Sequence, residues 1–161
     1  MTLFSRFLFL GAFMIVTFCG HSQYTATGVD EQKILSLLTE RGGDRPAELY
    51  LGGYFSFDTF ACKCGKKYRE TNPNTKLIFV TPYITESYQK NHLNDEKDRY
   101  DTILYPPLER VPPRYAISCR NRWMVEQAEL VVAYVKHEWG GAYQTYTYAR
   151  KKKKEIFNLA E

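Results

Sequence analysis

The sequence predicts an α/β fold built around a mainly parallel sheet, and three observations carry that expectation. Short apolar, β-branched stretches alternate along the chain with longer segments of helical periodicity. Residues 130–135 (LVVAYV) are apolar without alternation, as in a strand covered on both faces. Three apolar stretches lead to glycine, at Gly20, at Gly52-Gly53 and, after a short loop, at Gly140-Gly141, the punctuation of strand-to-helix junctions.

Each element follows from local signals. Residues 15–19 read as a buried strand closed by Gly20. Residues 29–40 read as a helix with Ile34, Leu35, Leu37 and Leu38 on one side, and Thr27 stands three before Asp30 as its N-cap. Gly42-Gly43 ends that helix, and residues 48–51 form the next strand, stopped by Gly52-Gly53. Residues 55–70 look helical, with Phe57, Phe60, Ala61 and Cys64 near one face. Asn72-Pro73-Asn74 is a turn, and residues 76–80 (KLIFV) are the third strand. The polar stretch 82–99 reads as a surface helix, and 101–104 as a short strand. Two proline pairs, Pro106-Pro107 and Pro112-Pro113, stiffen the loop beyond it, and Pro113 opens a helix that runs to Ala128. Strand 130–135, helix 143–153 and a last strand over 155–159 complete the alternation.

The totals narrow the class. A chain of 161 residues suits one domain, and 44% hydrophobic against 25% charged residues excludes a disordered polymer. Residues 1–13 are expected to be an extension before a single domain over 14–161. The first 21 residues carry Arg6 and an uncharged stretch from Phe7 to Gly20 that looks like a secretory signal, too short for a membrane span. It lacks a small-x-small cleavage site, and Phe18 stands before Cys19 where a lipoprotein signal needs a small residue. Translation from Met14 would begin directly with the first strand. A cytoplasmic location without membrane association is therefore expected, with secretion as the alternative.

The net charge is +4, with much of the excess in the run Arg150 to Lys154, which reads as a solvated helix end. Cys62 and Cys64 form C-x-C without a second pair or a histidine at zinc spacing, so no metal is expected. With Cys19 and Cys119 they form either two disulfides or buried thiols.

In a parallel sheet the three glycine junctions share the carboxyl edge, where open α/β folds bind ligands. Glycine admits a ligand to the backbone, and a following helix offers N–H groups and a positive dipole end to an anion. The expected ligand-binding residues are Gly20, His21, Gly52, Gly53, Arg120, Gly140, Gly141 and Thr145. Neither G-x-G-x-x-G nor G-x-x-x-x-G-K-[ST] occurs, so no cofactor is expected. Arg120 and Arg122 lie about 200° apart on a helix and cannot share a face. Trp139, Tyr143 and Tyr146 flank the last glycine pair, where they either stack on a base or join the core. Asp58 and Glu138, with His21 and His137, are the acid–base candidates, as a histidine–carboxylate pair across strand ends.

Three segments carry a family resemblance: TFCGH (Thr17 to His21), YLGGYFSFD (Tyr50 to Asp58) and RNRWMVEQAELVVAYVKHEWGGAYQTYTYA (Arg120 to Ala149). Together they resemble the SLOG superfamily, which includes the LOG phosphoribohydrolases and the Rossmann-like domain of the DNA-processing protein DprA. Within it, they look nearest to the YpsA-like group of bacterial and phage proteins. The resemblance implies a Rossmann-like three-layer sandwich, a nucleotide-related ligand and a homodimer. Arg120 stands four residues before Met124, as does a catalytic arginine of the LOG enzymes. Their P-G-G-x-G-T motif departs here to Trp139-Gly140-Gly141-Ala142-Tyr143-Gln144-Thr145, and Thr147 and Tyr148 stand where its glutamate would follow.

The expected function is accordingly sensor-like binding of a nucleotide or nucleotide-derived ligand. Its phosphate would rest on Gly140, Gly141 and Thr145 with Arg120 neutralising the charge. One alternative is an N-ribosyl hydrolase of nucleoside monophosphates using Arg120 with Asp58 or Glu138. The other is a DprA-like nucleic-acid binder using the Arg150–Lys154 run, with nucleic acid the weaker partner candidate.

Overall fold

Six parallel strands form one sheet in the order β4-β3-β2-β1-β5-β6 in a computed structural model that describes residues 13–53, 55–96 and 98–161. The strands are β1 (Met14–Gly20), β2 (Ala47–Leu51), β3 (Thr75–Val80), β4 (Thr102–Leu104), β5 (Leu130–Tyr134) and β6 (Glu155–Asn158). Four longer helices connect them: α1 (Gly28–Gly42), α2 (Phe55–Thr71), α3 (Ala116–Gln127) and α4 (Gly141–Lys151). Of the expected 1–13 extension, residues 1–12 lie outside the described residues.

Alternation along the strands sorts the core into two layers. Met14, Val16, Phe18, Leu49, Leu51, Leu77, Phe79, Leu130 and Val132 pack on Ile34, Leu37 and Leu38 of α1 and on Phe57, Phe60 and Cys64 of α2. The intervening residues face the other way: Cys19, Val131 and Ala133 meet Val125 and Ala149, and Tyr50, Ile78 and Val80 meet Met124. Both faces are thus covered, which explains the unbroken apolar run of β5. The result is a three-layer sandwich with α1 and α2 on one face and α3 and α4 on the other.

Local chemistry sets the boundaries. The Thr27 side chain caps α1 by accepting from the Asp30 N–H at 3.0 Å. The strand expected from residue 101 starts at Thr102 because the Asp101 carboxylate accepts the Leu77 N–H at 2.8 Å and pairs with Arg69 at 2.5 Å. Pro113 opens a short 3₁₀ turn, Pro113–Tyr115, that leads into α3. The surface helix expected over 82–99 is broken into Glu86–Tyr88, a π-helical turn Gln89–Leu93 and Asn94–Glu96, without an apolar stripe to hold one continuous helix. Helix α4 begins at Gly141 rather than 143, so Gly140 is its N-cap and the glycine pair belongs to the helix start itself. All four cysteines are free thiols.

Candidate functional site at the carboxyl edge

After β1 the chain builds the sheet outward through β2, β3 and β4, then returns to place β5 against the other side of β1. This reversal opens a crevice between the ends of β1 and β5, where Gly20 pairs with Tyr134. A cavity of about 250 Å³ lies there, lined by Gly20, Gly52, Asp58, Arg120, Asn121, Met124, Gly141 and Thr145 among others. It shares Gly20, Phe55, Gly141 and Ala142 with a cleft of about 560 Å³ lined also by His21, Lys136, His137, Trp139 and Gly140. On the α3 side a hollow of about 240 Å³ adds Arg114, Arg122 and Gln144. The three spaces form one trough over the start of α4.

Arg120 forms part of the floor. Only 3% exposed, it donates from Nε to Asn121 Oδ1 at 2.9 Å and from Nη1 to the carbonyls of Gly52 at 3.3 Å and Val80 at 2.5 Å. The arginine therefore ties together the ends of β2 and β3 as well as supplying charge. A side chain at position 52 would lie 3.2 Å from Nη2, so Gly52 makes room for the guanidinium. Burial pulls the Arg120 pKa down, against the opposing influence of Asp58, Tyr88 and Tyr83. Asp58 lines the same cavity, and burial pushes its carboxyl up to about 7 although the Arg120 charge works to lower it. Cys19 lies beside them, but burial raises its thiol to about 12, which leaves it protonated and unreactive near neutral pH.

His21 organises the opposite wall. Its Nε2 accepts the N–H groups of Lys136 at 3.0 Å and His137 at 3.4 Å, so the loop after β5 hangs from the end of β1. An accepting Nε2 requires the proton on Nδ1 and a neutral ring. Burial, then His137 and Lys136, lower its pKa accordingly. The His21 and His137 rings stack, with centroids 3.4 Å apart and planes nearly parallel at 9°.

At the start of α4, Gly140 adopts φ +91° and no side chain caps the helix. The first-turn N–H groups of such a helix have no intrahelical acceptor. A Cβ added at Gly140 or Gly141 would meet nothing within 4 Å, so the backbone stands open to the trough. Thr145 is buried, and its hydroxyl donates back to the Gly141 carbonyl at 3.0 Å. Around this opening the described lining residues include Arg114, Arg120, Arg122 and Lys136 against one carboxylate, Asp58. The trough is suited to an anion.

The remaining expected residues separate. Gly53 holds a turn at φ +79°, with a Cβ there placed 2.2 Å from the Phe79 ring, and it is not among the trough's lining residues. Glu138 is exposed and is also not among them, which leaves Asp58 as the carboxylate of the trough. Arg122 lines the hollow on the α3 side, with its guanidinium over the Tyr148 ring at 5.2 Å. Sequence reasoning missed Phe55, Asn121, Lys136 and Arg114. For Phe55 a signal existed, because it precedes Phe57 by two residues and so falls off the helix face that Phe57, Phe60 and Cys64 bury.

No family model matches the chain, and no curated protein matches it significantly. Solved structures do. DNA processing protein A (DprA) from Helicobacter pylori, described for its single-stranded DNA binding mode, superimposes over 90% of this chain with a TM-score of 0.57 at 19% identity. DprA from Streptococcus pneumoniae covers 91% with a TM-score of 0.62 at 18% identity. The structural-genomics protein TM1055 covers 89% with a TM-score of 0.53 at 11% identity. The chain spans 64% and 50% of the two DprA chains. At these identities the likeness is one of architecture: the chain has the Rossmann-like α/β fold of the DprA structures.

Proposed function

We propose that this protein is a binding domain for a nucleotide or nucleotide-derived ligand, a member of the SLOG superfamily allied to its YpsA-like group. The observation that carries the reading is the uncapped, sterically open start of α4 at the β1–β5 crevice, surrounded by four cationic side chains. The phosphate sits on the N–H groups at Gly141 and the next residues, where helix dipole and hydrogen bonds act together. Arg120 adds charge from beneath while its carbonyl ties keep it in place. We place the domain over residues 14–161 and as a homodimer on the strength of the sequence resemblance, and propose a cytoplasmic location.

Gly141→Asp tests this directly. A carboxylate suits a helix N-terminus, and the Cβ that carries it has open space at position 141, so folding is expected to persist. It also occupies the phosphate seat. Calorimetric titration with AMP and ADP-ribose is expected to show binding by the parent and a loss of about tenfold or more in the variant, as for a charge-assisted contact. Equal affinities would reject the seat.

Two other readings have an observation each. Asp58, protonated up to about pH 7 inside the trough, suits the general acid of an N-ribosyl hydrolase. That reading requires release of free base from AMP, abolished by Asp58→Asn. The likeness to a single-stranded DNA-binding DprA, with Lys136, Arg114 and Arg122 along the trough, suits a nucleic-acid strand. That reading requires affinity for oligonucleotides that falls steeply with salt.

A further inference from the structure

The phosphate seat leaves two exposed rings at the mouth of the cleft unexplained. Phe55 is 69% exposed and Trp139 is 70% exposed, and both line the cleft that Gly140 and Gly141 share. Burial in the core accounts for neither.

The backbone at Phe55 and the ring of Trp139 are each fixed by neighbouring groups. Phe55 has φ +69°, a left-handed conformation that bulky residues rarely adopt and that costs free energy to hold. Its neighbour Ser56 anchors that backbone: Oγ donates to the Ser22 carbonyl and accepts the Tyr24 N–H, both at 2.8 Å. Trp139 ends a column of rings. It stacks on His137 at 3.8 Å, His137 stacks on His21, and His21 is pinned by two backbone N–H groups. An indole covered on one face and still mostly exposed presents its other face to solvent.

We infer that Phe55 and Trp139 form a stacking slot for a planar nitrogenous base. The inference rests on the phosphate seat and names the ligand class more narrowly: a base-bearing nucleotide rather than a sugar phosphate. Stacking on two hydrocarbon faces discriminates little among bases, so the slot accepts purines and pyrimidines alike. Lys136, at the same cleft, adds positive charge beside the slot.

Tryptophan fluorescence with parallel calorimetry tests the slot on the full chain, using AMP and ribose 5-phosphate as probes. The second tryptophan, Trp123, stacks on Tyr50, and neither residue lines the cleft, so Trp139 reports the change. AMP is expected to quench Trp139 and to bind about fivefold or more tighter than ribose 5-phosphate, as base stacking on an aromatic ring does. Ribose 5-phosphate should bind without quenching. Trp139→Ala and Phe55→Gly should each remove most of that preference while leaving ribose 5-phosphate affinity unchanged. Phe55→Gly also relieves the left-handed strain, so its thermal midpoint should hold or rise, which separates lost recognition from lost folding. Equal binding of both probes, or AMP affinity indifferent to both substitutions, would overturn the slot while sparing the phosphate seat. Binding of neither probe would overturn the seat and the slot together.

Discussion

Two groups of glycines mark this sheet edge, and they differ in what stands where a side chain would be. At Gly20 and Gly53 the space is taken: an added Cβ would lie 2.3 Å from the Phe57 ring and 2.2 Å from the Phe79 ring. At Gly52 the neighbour is the Arg120 guanidinium. At Gly140 and Gly141 no atom lies within 4 Å. The first group consists of packing glycines that let an aromatic or a guanidinium close over the strand ends. The second leaves open space where a side chain would stand. Glycine at a strand-to-helix junction thus has two physical uses: to make room for a neighbouring side chain, or to leave the backbone uncovered.

Substitutions graded across the two groups break or sharpen this contrast. Arg120→Ala should have the largest effect, about 3 kcal/mol of stability, because it leaves the Gly52 and Val80 carbonyls and Asp58 without their buried cation. Gly53→Ala follows at about 2 kcal/mol, combining a left-handed backbone with overlap on Phe79. Gly140→Ala should cost about 1 kcal/mol from its positive φ alone. Gly141→Ala should change stability by less than about 0.5 kcal/mol, since it meets nothing and avoids a positive φ. Urea unfolding of the four variants gives the series. A costly Gly141→Ala would show that this junction, too, is a packing feature.

The two sides also respond oppositely to pH. Asp58 titrates near 7 in the fold and near 3.8 unfolded, so between those values the folded state holds its proton more tightly. Its contribution is fully present below about pH 4 and is lost as pH rises toward 7. His21 is the reverse: its folded pKa lies below 6.5, so its contribution is present above that value and is lost on acidification. Protonation there would also turn the Nε2 acceptor into a donor and release the loop of Lys136 and His137. Stability measured from pH 4.5 to 7.5 should lose its alkaline decline in Asp58→Asn and its acid decline in His21→Gln.

Much of the architecture was legible because strand period and helix period differ, and because a strand covered on both faces has no polar alternation to hide. The site was legible only in part. Gly20, Gly52, Gly140, Gly141 and Arg120 announce themselves as glycine junctions and a helix arginine, and they do converge on one trough. Their partners are set by strand order, which joins residues far apart in the chain: Arg120 to Val80, and His21 to His137. No local pattern encodes those meetings. Glu138 and Gly53 show the converse, since adjacency to a junction in sequence did not bring either to the trough wall.

The central claim is that the open glycines of α4, not the packed ones, receive the ligand. Backbone amide NMR during an AMP titration tests it most directly. The account predicts the largest shift changes at Lys136 to Tyr143, with smaller ones at the packed Gly20, Gly52 and Gly53. Changes centred on the distant groove of Val29, Leu37 and Phe157, or no changes at all, would contradict it.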